Sequence, residues 1–75
     1  MEGMLSMTFG RIKCFFESRG YGFIEDHHGR EVYFNLSSID GSERGQIVHG
    51  ACVYFDAITT GLGIEAYKVR VANAA

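Results

Sequence analysis

Four clusters of turn-forming residues set the tightest limit on how this chain can fold. Glu17–Gly20, Asp26–Arg30, Asp40–Gly45 and Thr59–Gly63 are rich in glycine or other turn formers, the punctuation that ends regular elements. They cut the chain into five segments of strand length, and none carries an apolar stripe of helical period. The period is two instead. Strand one runs roughly from Thr8 to Phe16 and carries Phe9, Ile12, Phe15 and Phe16. Strand two, Gly20 to Glu25, sets Gly22 and Ile24 against Tyr21 and Phe23. Strand three, Glu31 to Leu36, opposes Val32 and Phe34 to Tyr33 and Asn35. Strand four, Ala51 to Ile58, places Val53, Phe55 and Ala57 on one face. Strand five, Ile64 to Val71, places Tyr67, Val69 and Val71 opposite Lys68 and Arg70. Five short strands joined by tight turns predict an all-β fold, a small five-stranded antiparallel barrel whose closure removes exposed edges.

At 75 residues the chain is one domain. Residues 8–73 read as a single unit, with frayed ends at 1–7 and 74–75. A hydrophobic fraction of 47% is enough for a compact core without disulfides, so Cys14 and Cys52 read as reduced thiols. The first residues lack a basic segment followed by an apolar one, and no apolar run approaches the length of a membrane span. A cytoplasmic protein is expected. Seven Lys+Arg against nine Asp+Glu give net −2, which excludes binding of phosphates by charge density alone. Any nucleic-acid site must come from local placement.

The pattern assigns nine residues to the interior: Ile12, Ile24, Val32, Phe34, Ile39, Ile47, Val53, Phe55 and Val69. Phe15, Tyr21, Phe23 and Tyr33 are then left over. They interleave with Lys13 and Arg19 on neighbouring strands and the turn between them. Rings that stack on bases, beside cations that meet phosphates, are what a single strand of nucleic acid needs. The alternative is that these rings are core on strands buried on both faces. That would require helices to cover the second face, and the chain shows none.

The residues also carry a resemblance. Gly10-Arg-Ile-Lys-Cys-Phe-Phe16 followed by Arg19-Gly-Tyr-Gly-Phe-Ile24 resembles the opening of a bacterial cold-shock domain, G-x-V-K-W-F-N then K-G-F/Y-G-F-I. Val32-Tyr-Phe-Asn-Leu-Ser-Ser-Ile39 resembles the family's V-F-V-H-x-S-A-I. Gly50-Ala-Cys-Val-Tyr-Phe55 resembles G-Q-x-V-x-F, and Gly63-Ile-Glu-Ala-Tyr-Lys-Val69 resembles G-P-x-A-x-N-V. The resemblance implies a barrel of the OB type that binds single-stranded RNA or DNA on the face of strands one to three. It implies a phosphate-contacting role for Lys13 and stacking roles for Phe15, Tyr21, Phe23 and Tyr33. The departures are equally specific. Cys14 stands where the family has a stacking Trp, Phe16 where it has Asn, Asn35 where it has a stacking His, and Leu36 where many members have another ring. Arg44 replaces a loop Phe and Ile64 a Pro. Each lost platform removes about 1–3 kcal/mol of stacking. Asn35 offers a base-edge hydrogen bond in exchange, Arg44 a stacking guanidinium, and Phe16 a ring at the rim. Plain alternation from Ile12 turns Cys14 inward, whereas the family exposes this position, which implies a bulge in strand one.

The remaining candidates read more simply. His27, His28 and His49 do not make a metal site, because adjacent histidines in an extended turn tend to diverge and three or four converging ligands are required. Gly20 and Gly22 match no phosphate-loop pattern and point to backbone conformation and close approach by bases. Glu17, Glu25, Asp26 and Glu31 surround the face without a nucleophile or cleft, so they read as restraints on affinity rather than as catalytic acids. Tyr67, Lys68 and Arg70 read as ordinary surface. The expectation is a binding protein without enzymatic activity, cofactor, metal, small-molecule substrate or membrane attachment. It would be a monomer or weak homodimer that takes single-stranded RNA or DNA with little sequence preference, through Lys13, Phe15, Arg19, Tyr21, Phe23, Tyr33, Asn35 and Arg44, with Arg30 as a further phosphate contact. The rival expectation is the same barrel with its ring-bearing face turned to protein contact or self-association.

Overall fold

A computed structural model describes residues 7–72; the expected frayed ends otherwise lie outside the described residues. The five expected strands are present as β1 (Met7–Phe16), β2 (Tyr21–Asp26), β3 (Glu31–Asn35), β4 (Cys52–Thr60) and β5 (Gly63–Val71). Short 3-10 turns at Glu17–Arg19, Leu36–Ser38 and Gly41–Gln46 fill the intervals. The strands close into a barrel in the order β1-β2-β3-β5-β4. Four seams are antiparallel and the seam between β3 and β5 is parallel. Among the described residues no helix is long and apolar enough to cross a membrane.

All nine residues assigned to the interior are buried, and Ala66 joins them. Ala66 corrects the reading of β5, where alternation had put Tyr67 on the face of Val69 and Val71. Lys68 has φ +53°, and the ladder slips at this point, so that Tyr54 pairs with Arg70 but Asp56 with Tyr67. An extra residue on one strand reverses the alternation beyond it. Ala66 and Val69 therefore both face inward, and Tyr67 stands in solvent.

A second bulge sits in β1 at Lys13. Ile12 pairs with Ile24, and the next paired residue, Cys14, faces Phe23. The bulge turns Cys14 to the outer face, and Phe15 falls opposite Gly22. Gly22 has to be glycine, because a Cβ there would lie 2.5 Å from the Cys14 carbonyl oxygen and 2.6 Å from the Phe34 ring. Its close approach is to the core, not to a base. Gly20 holds φ +80° at the end of the Glu17–Arg19 turn, a conformation that suits glycine.

The turn between β2 and β3 is organised by Asp26, the one buried charged residue among those described. Its carboxylate accepts from the backbone N–H of His28 at 2.9 Å and of Arg30 at 2.8 Å, and from Arg30 Nε at 3.0 Å. Burial alone would raise its pKa. The two backbone donors and the Arg30 guanidinium outweigh that and hold the carboxyl below its ordinary value.

Candidate nucleic-acid interface

The outer face of β2 and β3 follows from what their inner face buries. With Gly22, Ile24, Val32 and Phe34 inward, Tyr21, Phe23 and Tyr33 must point out, and each is half-buried by its neighbours. The Tyr21 and Tyr33 rings stack at 5.9 Å and 26°. Phe23 meets both edge-on, at 5.9 Å and 6.0 Å. Phe16, outside the main set of expected residues, extends the row, with its ring 5.2 Å from Tyr21 and 43% exposed. The result is a continuous strip of four rings with geometries that aromatic pairs favour. The Leu36 N–H donates to the Gly20 carbonyl at 2.8 Å and so pins the strip's end, where β2 begins, to the end of β3.

The other expected residues divide. Lys13 lies beside the strip on its bulge, with Nζ 3.2 Å from Glu31 Oε2. Both side chains are half exposed, and the pair is of the weak, screened kind. Arg19 is exposed at the end of its turn, with no ion pair among the described residues. Phe15 is not part of the strip. It packs toward the core, 5.7 Å from Phe34, and keeps only part of its surface open. Asn35 caps the Leu36–Ser38 turn: its Oδ1 accepts from Ser37 N and Ser37 Oγ, both at 2.9 Å, and its Nδ2 donates to Tyr33 Oη at 3.4 Å. Its acceptor is therefore already occupied. Arg44 belongs to the Gly41–Gln46 turn. That turn is fastened to β5 by Glu43, which accepts from Val71 N at 2.9 Å and pairs with Arg70. Arg30 is committed to Asp26 through Nε. Leu36 packs against the core, and Cys14 is half exposed opposite Phe23.

The histidine reading needs one correction. The His27 and His28 rings do not diverge but face each other at 4.1 Å, because the Asp26 turn folds His27 back so that its N–H donates to the Phe9 carbonyl. Among the described residues no group of three metal-ligating side chains assembles. Cys14 and Cys52 are both free thiols; Cys52 pairs with Arg11, three positions before Cys14 on β1.

Sequence reasoning missed a groove of about 360 Å³ where the strip ends at Phe23 and Tyr33. Its far wall is the β4–β5 hairpin, with Thr60, Leu62, Ile64 and Glu65. The parallel seam makes it, by placing Glu65 next to Tyr33. Leu62 at the hairpin tip is fully exposed, and a leucine within a turn was the one available sequence signal.

Residues 8–72 match the model of the "'Cold-shock' DNA-binding domain". The chain is 33% identical over 63 residues to the cold shock-like protein CspLB of Listeria monocytogenes, covering 84% of this chain and 96% of that protein. It is 32% identical over 63 residues to the cold shock protein CspB of Geobacillus stearothermophilus, with the same coverage. Among solved structures, the Drosophila Unr CSD456 chain superposes with a TM-score of 0.76 at 19% identity, over 93% of this chain and 28% of that one. This last likeness is one of fold.

Proposed function

The chain belongs to the cold-shock domain family, and from that premise we propose that it is a passive binder of single-stranded RNA or DNA. Bases stack on Tyr21, Phe23 and Tyr33, with Phe16 and the open part of Phe15 at the edge, while Lys13, Arg19 and Arg30 or Arg44 meet the phosphates. Because every base has a face to stack, most positions discriminate little. Captured strand cannot re-form hairpins, so the protein acts as an RNA chaperone or regulator of gene expression without consuming ATP. It works in the cytoplasm as a monomer or weak homodimer, and no step is catalytic. The observation that carries this reading is the continuous ring strip bordered by cations on one face.

Titration of labelled oligo-dT or oligo-U by fluorescence anisotropy tests it. Binding is expected to weaken with salt at a log–log slope of about −0.7 per phosphate contact, or about −2 to −3 for three or four contacts. No binding to any single strand at tens of micromolar protein overturns it. A second reading, the ring face as a protein or self-association surface, draws on Cys14 and Leu36, which leave that face without two rings. It gains the ground if Tyr21→Ala and Phe23→Ala abolish self-association and leave oligonucleotide affinity unchanged.

A further inference from the structure

The groove beyond the ring strip differs from the strip in one respect, because it contains a carboxylate. Glu65 is half-buried and neighbours Tyr33 across the parallel seam. Among the described residues it has no Lys or Arg partner. Glu65 accepts from the Tyr67 phenol, which leaves acceptor sites on its carboxylate open, and the other polar side chains lining the groove also hold hydrogen bonds. Thr60 Oγ1 donates to the Gly63 carbonyl at 3.0 Å and accepts from Leu62 N at 3.1 Å, which closes the hairpin turn. Tyr33 Oη accepts from Asn35 Nδ2. The Glu65 charge is felt locally: by Coulombic repulsion, aided by desolvation and a hydrogen bond to Glu65, it raises the pKa of the Tyr67 phenol.

We propose that this groove is a base-selective subsite in which Glu65 favours a base with amino donors on its Watson–Crick edge, guanine above all, over thymine or uracil. The proposal rests on the single-strand reading above. A base stacked on Phe23 or Tyr33 at this end of the strip presents its edge toward Glu65, and the volume of about 360 Å³ suits one base rather than a longer segment. An ionised carboxylate only accepts hydrogen bonds. Guanine offers N1–H and N2–H side by side to its two oxygens, and cytosine and adenine each offer one amino group. Thymine and uracil flank their single N3–H with carbonyl oxygens, which set acceptor against acceptor. A half-buried carboxylate that must give up water without gaining a donor loses binding.

The experiment uses a dT heptamer and a series in which a single dG or dC replaces dT at each position in turn, with the affinity of the whole chain read by anisotropy. At one position dG is expected to tighten binding about 5- to 10-fold and dC less. Glu65→Gln, whose amide both donates and accepts, is expected to erase that preference and leave the dT heptamer within about twofold. The proposal is overturned if no single dG or dC tightens binding of the native chain, a result that needs no variant. It is equally overturned if the preference survives in Glu65→Gln. Absence of binding to every oligonucleotide defeats the single-strand reading and this proposal together, whereas uniform binding defeats the proposal alone.

Discussion

Two outer faces of the barrel carry rings and cations, and only one of them is organised as a platform. On β2 and β3, with Phe16 at the edge, four rings touch in sequence at 5.2–6.0 Å. On the β1–β4 seam, Phe9 and Tyr54 form a single tilted pair at 6.1 Å, flanked by Met7 and Arg11. Phe9 is 57% exposed. The second face has two rings against four, and what separates the two faces beyond number is contiguity. A strand of bases needs successive stacking surfaces at related heights, and an isolated pair supplies one. The difference traces to pairing. Phe9 faces Tyr54 just as Phe23 faces Tyr33. The next pairs along the β1–β4 seam are Met7 with Asp56 and Arg11 with Cys52, whereas Tyr21 lies one repeat along from Phe23 and itself faces Phe16, so cross-strand and diagonal contacts link four rings.

The sharpest way to break this comparison is to remove rings from each face. Phe23→Ala combined with Tyr33→Ala is expected to weaken oligo-dT binding by between about 30-fold and a few times 10⁴, at 1–3 kcal/mol per ring. Phe9→Ala combined with Tyr54→Ala is expected to leave affinity within about twofold. Equal losses from the two pairs, measured by anisotropy on folded protein, would mean that contiguity is irrelevant.

The inner face of this platform was legible in the sequence, and its surroundings were not. Alternation in β2 and β3 put Ile24, Val32 and Phe34 inside and Tyr21, Phe23 and Tyr33 outside, because a residue buried on one side of a pleat sends its neighbours to the other. Alternation failed at Lys13 and Lys68, where a bulge adds a residue that no periodicity registers; the first was expected only through the family resemblance, and the second not at all. The first bulge is why Phe15, expected among the stacking rings, leans on Phe34 with part of its surface open, and the second is why Ala66 was not assigned to the interior. The parallel seam was hidden for another reason, since period two is the same for both strand directions. Partners far apart in sequence were equally hidden. Lys13 finds Glu31 18 residues away, and Glu65 reaches Tyr33 only through the closed barrel. Arg30 and Asp26, four residues apart in one turn, were within reach of local reasoning.

The charge beside the platform gives the next largest effect. Lys13 approaches a phosphate only by leaving Glu31, so its contact exchanges one ion pair for another and releases less counterion than a free lysine would. Glu31→Gln keeps the shape and removes this competition. It is expected to tighten oligo-dT binding a few-fold at low salt, by about 1 kcal/mol or less, and to steepen the log–log salt slope by up to about 0.7. Charge changes on the β1–β4 side, as in Arg11→Gln, are expected to move neither quantity. An unchanged slope in Glu31→Gln would remove Lys13 from the set of phosphate contacts.

Asp26 lies where the two faces meet, and it separates stability from binding. Its turn opens β3 on one side and, through the His27 N–H and the Phe9 carbonyl at 3.2 Å, holds β1 on the other. The carboxyl is held below its ordinary value of 3.8, so the folded state stabilises the ionised form. That contribution is complete above the unfolded value and is lost as the pH falls through the lower folded one. Asn at this position retains an oxygen for the backbone donors but loses the charge facing Arg30. Asp26→Asn is expected to cost about 1–2 kcal/mol of unfolding free energy near neutral pH. The gap should begin to narrow as the pH falls below about 3.8, where the unfolded carboxyl takes up a proton that the native one still resists, and close only once the pH has passed the lower folded value. Denaturant unfolding of both proteins at about pH 7 and about pH 3 measures it. A gap that stays constant would place the stabilisation in geometry rather than charge. Oligo-dT affinity of the folded variant is expected to stay within about twofold, because no platform ring depends on the Asp26 charge for its position.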